Sequence, residues 1–136
     1  MTEDKKPVVR PTSPHLSIYG WNWTFLMSGF HRVSGIAIYF GSVIPLIWIL
    51  SMALGETCYD WVTWLYGTWF FGMPILFAYT WGVMHHAVGG IRHFYWDTAR
   101  GFERNERFML AKATLIASVS LTVLIWAVII TLRLSS

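Results

Sequence analysis

The chain has 136 residues, of which 55% are hydrophobic and only 12% charged, and its formal net charge is +3. A soluble domain carries about twice that charged fraction, so the composition excludes an ordinary soluble domain and indicates one membrane domain over residues 1–136. Nine tryptophans fit this class, because indole rings favour membrane interfaces. The small positive charge does not indicate nucleic acid, since the basic residues flank uncharged runs and do not form one patch.

Residues 1–20 are polar and carry prolines at positions 7, 11 and 14, a spacing that prevents a continuous helix and predicts an extended segment. The alternative is a disordered tail. The segment lacks the apolar core of a signal peptide, and Glu3 and Asp4 are unlike a mitochondrial presequence. A bacterial cytoplasmic membrane is therefore the simplest location, with a multi-pass chain.

The first membrane helix is predicted at about residues 28–54, because residues 33–55 contain no charged side chain. Pro45 predicts a kink within it. Its first turns carry Ser28, His31 and Arg32. Arg32 at the edge of the hydrocarbon has two interpretations, which are snorkelling to lipid phosphates and binding of a buried acceptor.

Two further helices are predicted, at about residues 64–96 and 108–132. Residues 61–91 and 113–132 are uncharged, and each run can cross a hydrocarbon core of about 30 Å. Residues 55–62 are interpreted as a short acidic loop, and residues 97–108 as a charged loop that faces solvent or a partner. The third helix has no His, Asp or Glu within its uncharged run, which predicts packing and lipid contact only.

Nine of the ten Lys and Arg residues lie before or at the start of the first helix, or between the second and third helices; only Arg133 lies at the opposite end. The positive-inside rule then places the N-terminus in the cytoplasm and the C-terminus on the opposite side. The fold class predicted is an all-α membrane protein with three transmembrane helices. Ser28, Arg32 and the histidines of both helices are then expected near the cytoplasmic face.

The end of the second helix carries a pattern that favours a large flat ligand. His86, Gly89, Gly90 and His93 are spaced by helical turns and share one face, with bare backbone between two imidazoles. A haem requires such an imidazole and a flat surface. The alternative is helix packing, in which a histidine hydrogen-bonds a neighbouring helix and the glycines mark close contact. His85 is a rival ligand, on the adjacent stripe with Gly89 and Arg92.

Three stretches, in this order, resemble the cytochrome b anchor subunit of succinate dehydrogenase, respiratory complex II. They are RPTSPHL followed by Ile18 and Tyr19, SGFHRVSG at residues 28–35, and the run from His86 through GIRH at residues 90–93 to Asp97. The resemblance covers nearly the whole chain. It implies a membrane anchor for a flavoprotein subunit and an iron–sulfur subunit, with a second, smaller anchor subunit beside it and lipid around it.

The resemblance also implies roles for individual residues. The family's axial histidine lies four residues before the glycine of GIRH, which selects His86 as a ligand of haem b; the second axial histidine comes from the smaller anchor. His31, Arg32 and His93 match positions near the haem propionates. Ser28 and Arg32 match the ubiquinone site. Because the sequence contains two adjacent histidines, His85 and His86, and two adjacent glycines, Gly89 and Gly90, the alignment could shift by one residue. Only the family's spacing selects His86 over His85.

Three rival functions remain open on the sequence. A haem-free structural anchor would use its histidines only in packing. A stand-alone transporter would need charges near the bilayer midplane, and a two-haem anchor that reduces menaquinone would need more buried histidines than the five present provide. The quinone tail, the direction of the reaction, trimerisation of the complex and the passage of electrons through the haem are not determined by the sequence.

Overall fold

Five α-helices form the part of the chain that the computed structural model describes, namely residue 11, residues 13–15, residue 18 and residues 20–135. They are α1 (Trp23–Gly41), α2 (Val43–Leu54), α3 (Glu56–Gly67), α4 (Gly72–Asp97) and α5 (Arg104–Ser135). No strand occurs among these residues, so the prediction of an all-α fold is confirmed. The extended segment predicted for residues 1–20 lies largely outside the described residues and stays a prediction.

The first predicted helix is present, but it starts earlier and is interrupted. The Asn22 side chain accepts a hydrogen bond from the Phe25 amide at 2.9 Å and caps α1, so the helix begins at Trp23 rather than near residue 28. The interruption falls at Ser42, between α1 and α2. Pro45 accounts for it, because in an unbroken helix its ring would clash with the carbonyl of Gly41.

The prediction of an acidic loop at residues 55–62 is wrong, since this stretch belongs to α3. Gly55, at φ +106°, turns the chain after α2 with a backbone conformation that glycine adopts without strain. Glu56 then lies in the first turn of α3, where its carboxylate interacts favourably with the positive end of the helix dipole. The new helix packs against α2.

The predicted start of the second helix near residue 64 is also wrong, because the chain turns at residues 68–71 and α4 begins at Gly72. The Thr68 hydroxyl donates to the Leu65 carbonyl at 2.7 Å and accepts from the Gly72 amide at 2.8 Å, which stabilises the turn. Pro74 therefore lies in the first turn of α4, where its missing N–H breaks no helical hydrogen bond.

Gly72 allows this turn, because a Cβ atom there would overlap the backbone carbonyls of Leu65 and Tyr66. We expect Gly72→Ala to lower the stability of the assembled protein by about 1–3 kcal/mol, the usual range for overpacking against backbone that cannot move aside. Thermal unfolding of the purified protein measures the effect. Gly82→Ala is the matched control in the same helix, since its Cβ would meet nothing within 4 Å; equal destabilisation by both changes would contradict the steric explanation.

A tight turn joins α4 to α5. Ala99 and Gly101 both have positive φ, 58° and 81°, and α5 begins at Arg104 and continues to Ser135. The third helix is therefore longer at both ends than the predicted 108–132. The predicted charged loop at residues 97–108 is correspondingly reduced to the turn after Asp97 and the first residues of α5.

The centre of the bundle is α4, which packs against α1 and α5. Among the described residues the buried apolar side chains are only Met27 and Ala111. The buried polar or charged ones are Ser34, Ser51, His85, Arg92, Thr114, Ser118 and Thr122. Large apolar side chains cover the outside instead, the reverse of a soluble protein and the arrangement expected where small residues mediate helix contacts in lipid.

Two helical segments in the described part of the chain are long and apolar enough to cross a membrane, judged by length and composition: Trp23–Leu54 and Arg104–Ser135. The central helix α4 has 26 residues, or about 39 Å of helix at 1.5 Å per residue. Its length permits a crossing, and the third span stays a prediction.

Candidate functional site

The imidazole of His86 lies between α4 and α1, hydrogen-bonded through Nδ1. The Nδ1 atom is 3.0 Å from the backbone carbonyl oxygen of His31 and 3.4 Å from the Ser34 hydroxyl oxygen. Gly35 makes room for the ring, because a Cβ there would come within 2.9 Å of the His86 Cε1 atom. In the sequence, Gly35 is the last residue of the SGFHRVSG motif.

This contact determines which nitrogen of His86 carries the proton. A carbonyl oxygen can only accept, so Nδ1 is the donor, and in the neutral imidazole Nε2 then keeps its lone pair. Histidines that ligate metals use this arrangement, in which the non-ligating nitrogen donates to a carbonyl and holds the ring in orientation. His86 is thus oriented as a nitrogen ligand by the backbone of α1.

Three of the predicted site residues form one cluster of imidazoles. The rings of His31 and His86 are stacked, with centroids 4.2 Å apart and planes inclined by 8°. The ring of His93 lies 5.0 Å from His31 and 5.1 Å from Trp96. The cluster therefore joins the N-terminal half of α1 to the C-terminal half of α4.

Gly89 and Gly90 do not form the single flat face that the sequence predicted. His31 packs directly on Gly89, where a Cβ would overlap its imidazole. Gly90 is open, with nothing within 4 Å of a Cβ placed there. The bare backbone available to a ligand is therefore that of Gly90, and Gly89 serves the contact between α1 and α4.

His85 points to a different neighbour. It is completely buried, and its Nδ1 atom lies 3.2 Å from the Ser118 hydroxyl oxygen on α5. Its ring packs against Trp81 and Phe30, with centroid distances of 5.3 Å and 6.3 Å. The two adjacent histidines thus have different hydrogen-bond partners: that of His85 is on α5, and that of His86 is on α1.

The other two predicted residues, Ser28 and Arg32, lie four residues apart on α1. Ser28 is half-buried and Arg32 is exposed. Within the described residues, the structure records no hydrogen bond from either side chain to the imidazole cluster. The structure therefore brings together His31, His86 and His93, and leaves Ser28 and Arg32 beside them on the outer side of α1.

Arg92 also belongs to this site. From the sequence it was placed only on the helix stripe that it shares with His85, and no role was assigned to it. Its side chain is 5% exposed, and its guanidinium lies 5.1 Å from the ring centroid of Trp96. A buried arginine is costly without a partner, and the Nε atom of Arg92 has none among the described residues. The sequence feature that could have indicated burial of Arg92 is its position seven residues after His85, which places both side chains on one face of α4.

The unpaired buried side-chain atoms of the described residues all belong to this region. They are His31 Nε2, Trp81 Nε1, His85 Nε2, Arg92 Nε and Trp96 Nε1. Indole and guanidinium nitrogens can only donate, so three of these five atoms are N–H donors without an acceptor. Oxygen atoms of an anionic group, or of water, would satisfy them.

These features define a class of protein: a helical membrane subunit whose polar site lies between two helices at one end of the bundle. The sequence matches the family described as succinate dehydrogenase/fumarate reductase transmembrane subunit over residues 6–128. The chain belongs to this family.

Similar proteins carry the corresponding names. The succinate dehydrogenase cytochrome b556 subunit of Rickettsia prowazekii is 32% identical over 135 residues, covering 93% of this chain and 99% of the relative. The cytochrome b556 subunit of Paracoccus denitrificans is 29% identical, covering 85% and 88%. The mitochondrial cytochrome b560 subunit of Bos taurus is 34% identical, covering 81% and 66%. The likeness supports a membrane subunit of the cytochrome b type, as the motifs predicted.

Proposed function

We propose that this chain is the cytochrome b anchor of a succinate:ubiquinone oxidoreductase. It holds the flavoprotein and iron–sulfur subunits on the membrane, shares one haem b with a smaller anchor subunit, and forms part of the ubiquinone site. The observation that carries the proposal is the hydrogen bond from His86 Nδ1 to the His31 carbonyl, which leaves Nε2 as a ligand. The names of the relatives, all succinate dehydrogenase cytochromes, support it.

The residues present fit a haem. His86 would supply one axial nitrogen, and the open backbone at Gly90 leaves room for a flat macrocycle beside it. The propionates would find donors in the buried N–H groups around Arg92 and Trp96, in His93 and in the cation of Arg32. His31, stacked on His86, would hold that ring in place. When bound, the haem would act as a one-electron carrier.

The quinone site is proposed at Ser28 and Arg32, one helical turn apart on α1. The Ser28 hydroxyl can donate to a quinone carbonyl, and the Arg32 guanidinium can stabilise the negative charge that reduction places on that oxygen. Both residues lie near the surface of the bundle, which would allow the iron–sulfur subunit to complete the pocket. This chain performs no chemistry on succinate.

For the topology we propose three spans, with α4 crossing between the two more apolar segments. The N-terminus is then cytoplasmic, because nine of the ten Lys and Arg residues precede the apolar part of the first span or lie between the second and third spans in the sequence. Bacterial relatives support location in the cytoplasmic membrane of a bacterium.

The direct test is purification of the intact complex from membranes, with a subunit count and a reduced-minus-oxidised spectrum. We expect four subunits and one low-spin haem b per complex. Membranes from cells that lack this chain are the control, in which the catalytic subunits should appear in the soluble fraction. A complex without haem would favour the haem-free structural anchor, and two haems per complex would favour the menaquinone-reducing alternative.

A further inference from the structure

The carbonyl oxygen of His31 faces more hydrogen-bond donors than it has lone pairs. His86 Nδ1 lies 3.0 Å from it, and the Ser34 hydroxyl donates to it at 2.8 Å. In an α-helix the same oxygen also accepts from the amide four residues further along, which here belongs to Gly35. A carbonyl oxygen has two lone pairs, so the three donors compete for this one acceptor.

Ser34 reaches His86 through this carbonyl and not directly. The Ser34 hydroxyl oxygen lies 3.4 Å from His86 Nδ1, beyond the range of about 2.7–3.2 Å for N–H···O hydrogen bonds. The neighbouring histidine has the other arrangement: His85 Nδ1 lies 3.2 Å from the hydroxyl oxygen of Ser118, whose hydrogen is donated to the Leu115 carbonyl at 2.9 Å. His85 therefore donates to a serine, whereas His86 shares an acceptor with one.

Burial keeps water from relieving this competition. Ser34 is 6% exposed and His86 is half-buried. Gly35 lets the imidazole lie close to α1, because a Cβ there would come within 2.9 Å of the His86 Cε1 atom. In such a poorly hydrated contact the strength of each hydrogen bond depends on the others made by the same oxygen. The bond from His86 Nδ1 is therefore weaker while the Ser34 hydroxyl is bonded to the His31 carbonyl.

We propose that Ser34 is a positioning residue that raises the redox potential of a haem bound at His86. The inference rests on the proposed function, in which His86 Nε2 ligates the iron. A strong hydrogen bond from Nδ1–H makes an imidazole a more basic ligand, which favours ferric iron. The Ser34 hydroxyl weakens that bond by occupying the His31 carbonyl, and so it favours ferrous iron.

Redox titration of the purified complex, followed in the haem spectrum, tests this role independently of enzyme activity. Ser34→Ala should lower the potential, so that the ratio of reduced to oxidised haem at a fixed ambient potential falls about threefold, as expected when one neutral hydrogen bond strengthens in part. Ser34→Cys, with a weaker donor of similar size, should give a smaller shift in the same direction. It also provides the measurement if the alanine variant does not assemble.

Ser51→Ala is the matched control. Ser51 is 1% exposed, and its hydroxyl donates to the Trp48 carbonyl at 2.7 Å, the same bond to the residue three positions earlier, but on α2. Both alanine variants should affect thermal unfolding to a similar extent, and only Ser34→Ala should change the potential. Equal shifts of the potential in both would mean that Ser34 has only a structural role.

A change at the next residue should shift the potential in the opposite direction. In Gly35→Ala the new Cβ presses on the His86 ring, moves it off α1 and lengthens its bond to the His31 carbonyl, so the potential should rise. Gly29→Ala is the control in the same helix, because nothing lies within 4 Å of a Cβ there. Shifts of the same sign in Ser34→Ala and Gly35→Ala would indicate a general disturbance and overturn the proposal.

Two other results of the titration would also overturn it. An unchanged potential in Ser34→Ala would mean that the hydroxyl does not affect the ligand, and a raised potential would mean that its oxygen accepts the Nδ1 hydrogen directly. Failure of the proposed function itself is distinguishable. In that case the wild-type complex would contain no haem, or His86→Ala would keep the low-spin spectrum, and both proposals would fall.

Discussion

Replacing His86 by alanine is expected to abolish the low-spin haem spectrum of the purified complex. The His31 carbonyl holds the Nδ1 proton of His86 and leaves Nε2 as the nitrogen available to iron. An alanine at this position provides no ligand, so a haem that remained would lack the nitrogen that this chain is proposed to supply. Optical and electron paramagnetic resonance spectra of the complex measure the change, independently of enzyme activity.

The adjacent histidine provides the matched control. His85→Asn removes an imidazole one residue away, whose Nδ1 atom lies beside the Ser118 hydroxyl on α5 rather than beside a carbonyl of α1. We expect this variant to keep the low-spin spectrum and to unfold at a lower temperature, because it disturbs a completely buried contact. Loss of the spectrum in His85→Asn together with its retention in His86→Ala would reverse the assignment of the ligand.

The second large effect is expected for Arg32→Ala, which should slow quinone reduction by about ten- to hundredfold, the loss that corresponds to one charged hydrogen bond. Succinate oxidation with an artificial acceptor should persist, because that reaction is assigned to the catalytic subunits that this chain is proposed to anchor. Arg32→Lys should recover part of the quinone activity, since it keeps the charge and loses the planar fork. The ratio of the two activities is the measurement.

Arg100→Ala controls for the removal of a positive charge near the same surface. Arg100 is exposed in the turn between α4 and α5, and its replacement should leave both activities unchanged. If Arg32→Ala reduced both activities equally, the residue would serve assembly of the complex. If it reduced neither, the quinone would bind elsewhere.

The two ends of the bundle differ in chemistry. Unpaired N–H donors and imidazoles gather where the C-terminal half of α4 meets α1. At the other end lies a largely apolar cavity, where the hydroxyls of Tyr66 and Thr80 donate to backbone carbonyls. Electron transfer chemistry is therefore proposed for the first end.

The sequence alone determined the features that depend on one segment at a time. Long uncharged runs predicted apolar helices, because hydrocarbon excludes charged side chains whatever their neighbours are. Helical spacing placed His86, Gly90 and His93 on one face, since the period of 3.6 residues is a property of a single helix. The order of the three motifs was enough to indicate the family, which the match over residues 6–128 confirmed.

Only the tertiary structure decided the features that depend on which segments meet. It showed that Gly72 packs on the carbonyls of α3, which divides the predicted second helix, and that residues 56–67 form a helix rather than a loop. It paired His85 with α5 and His86 with α1, and it placed His31 on Gly89. The spacing of residues along one helix says which side chains share a face, whereas their hydrogen-bond partners are set by the packing of helices remote in sequence.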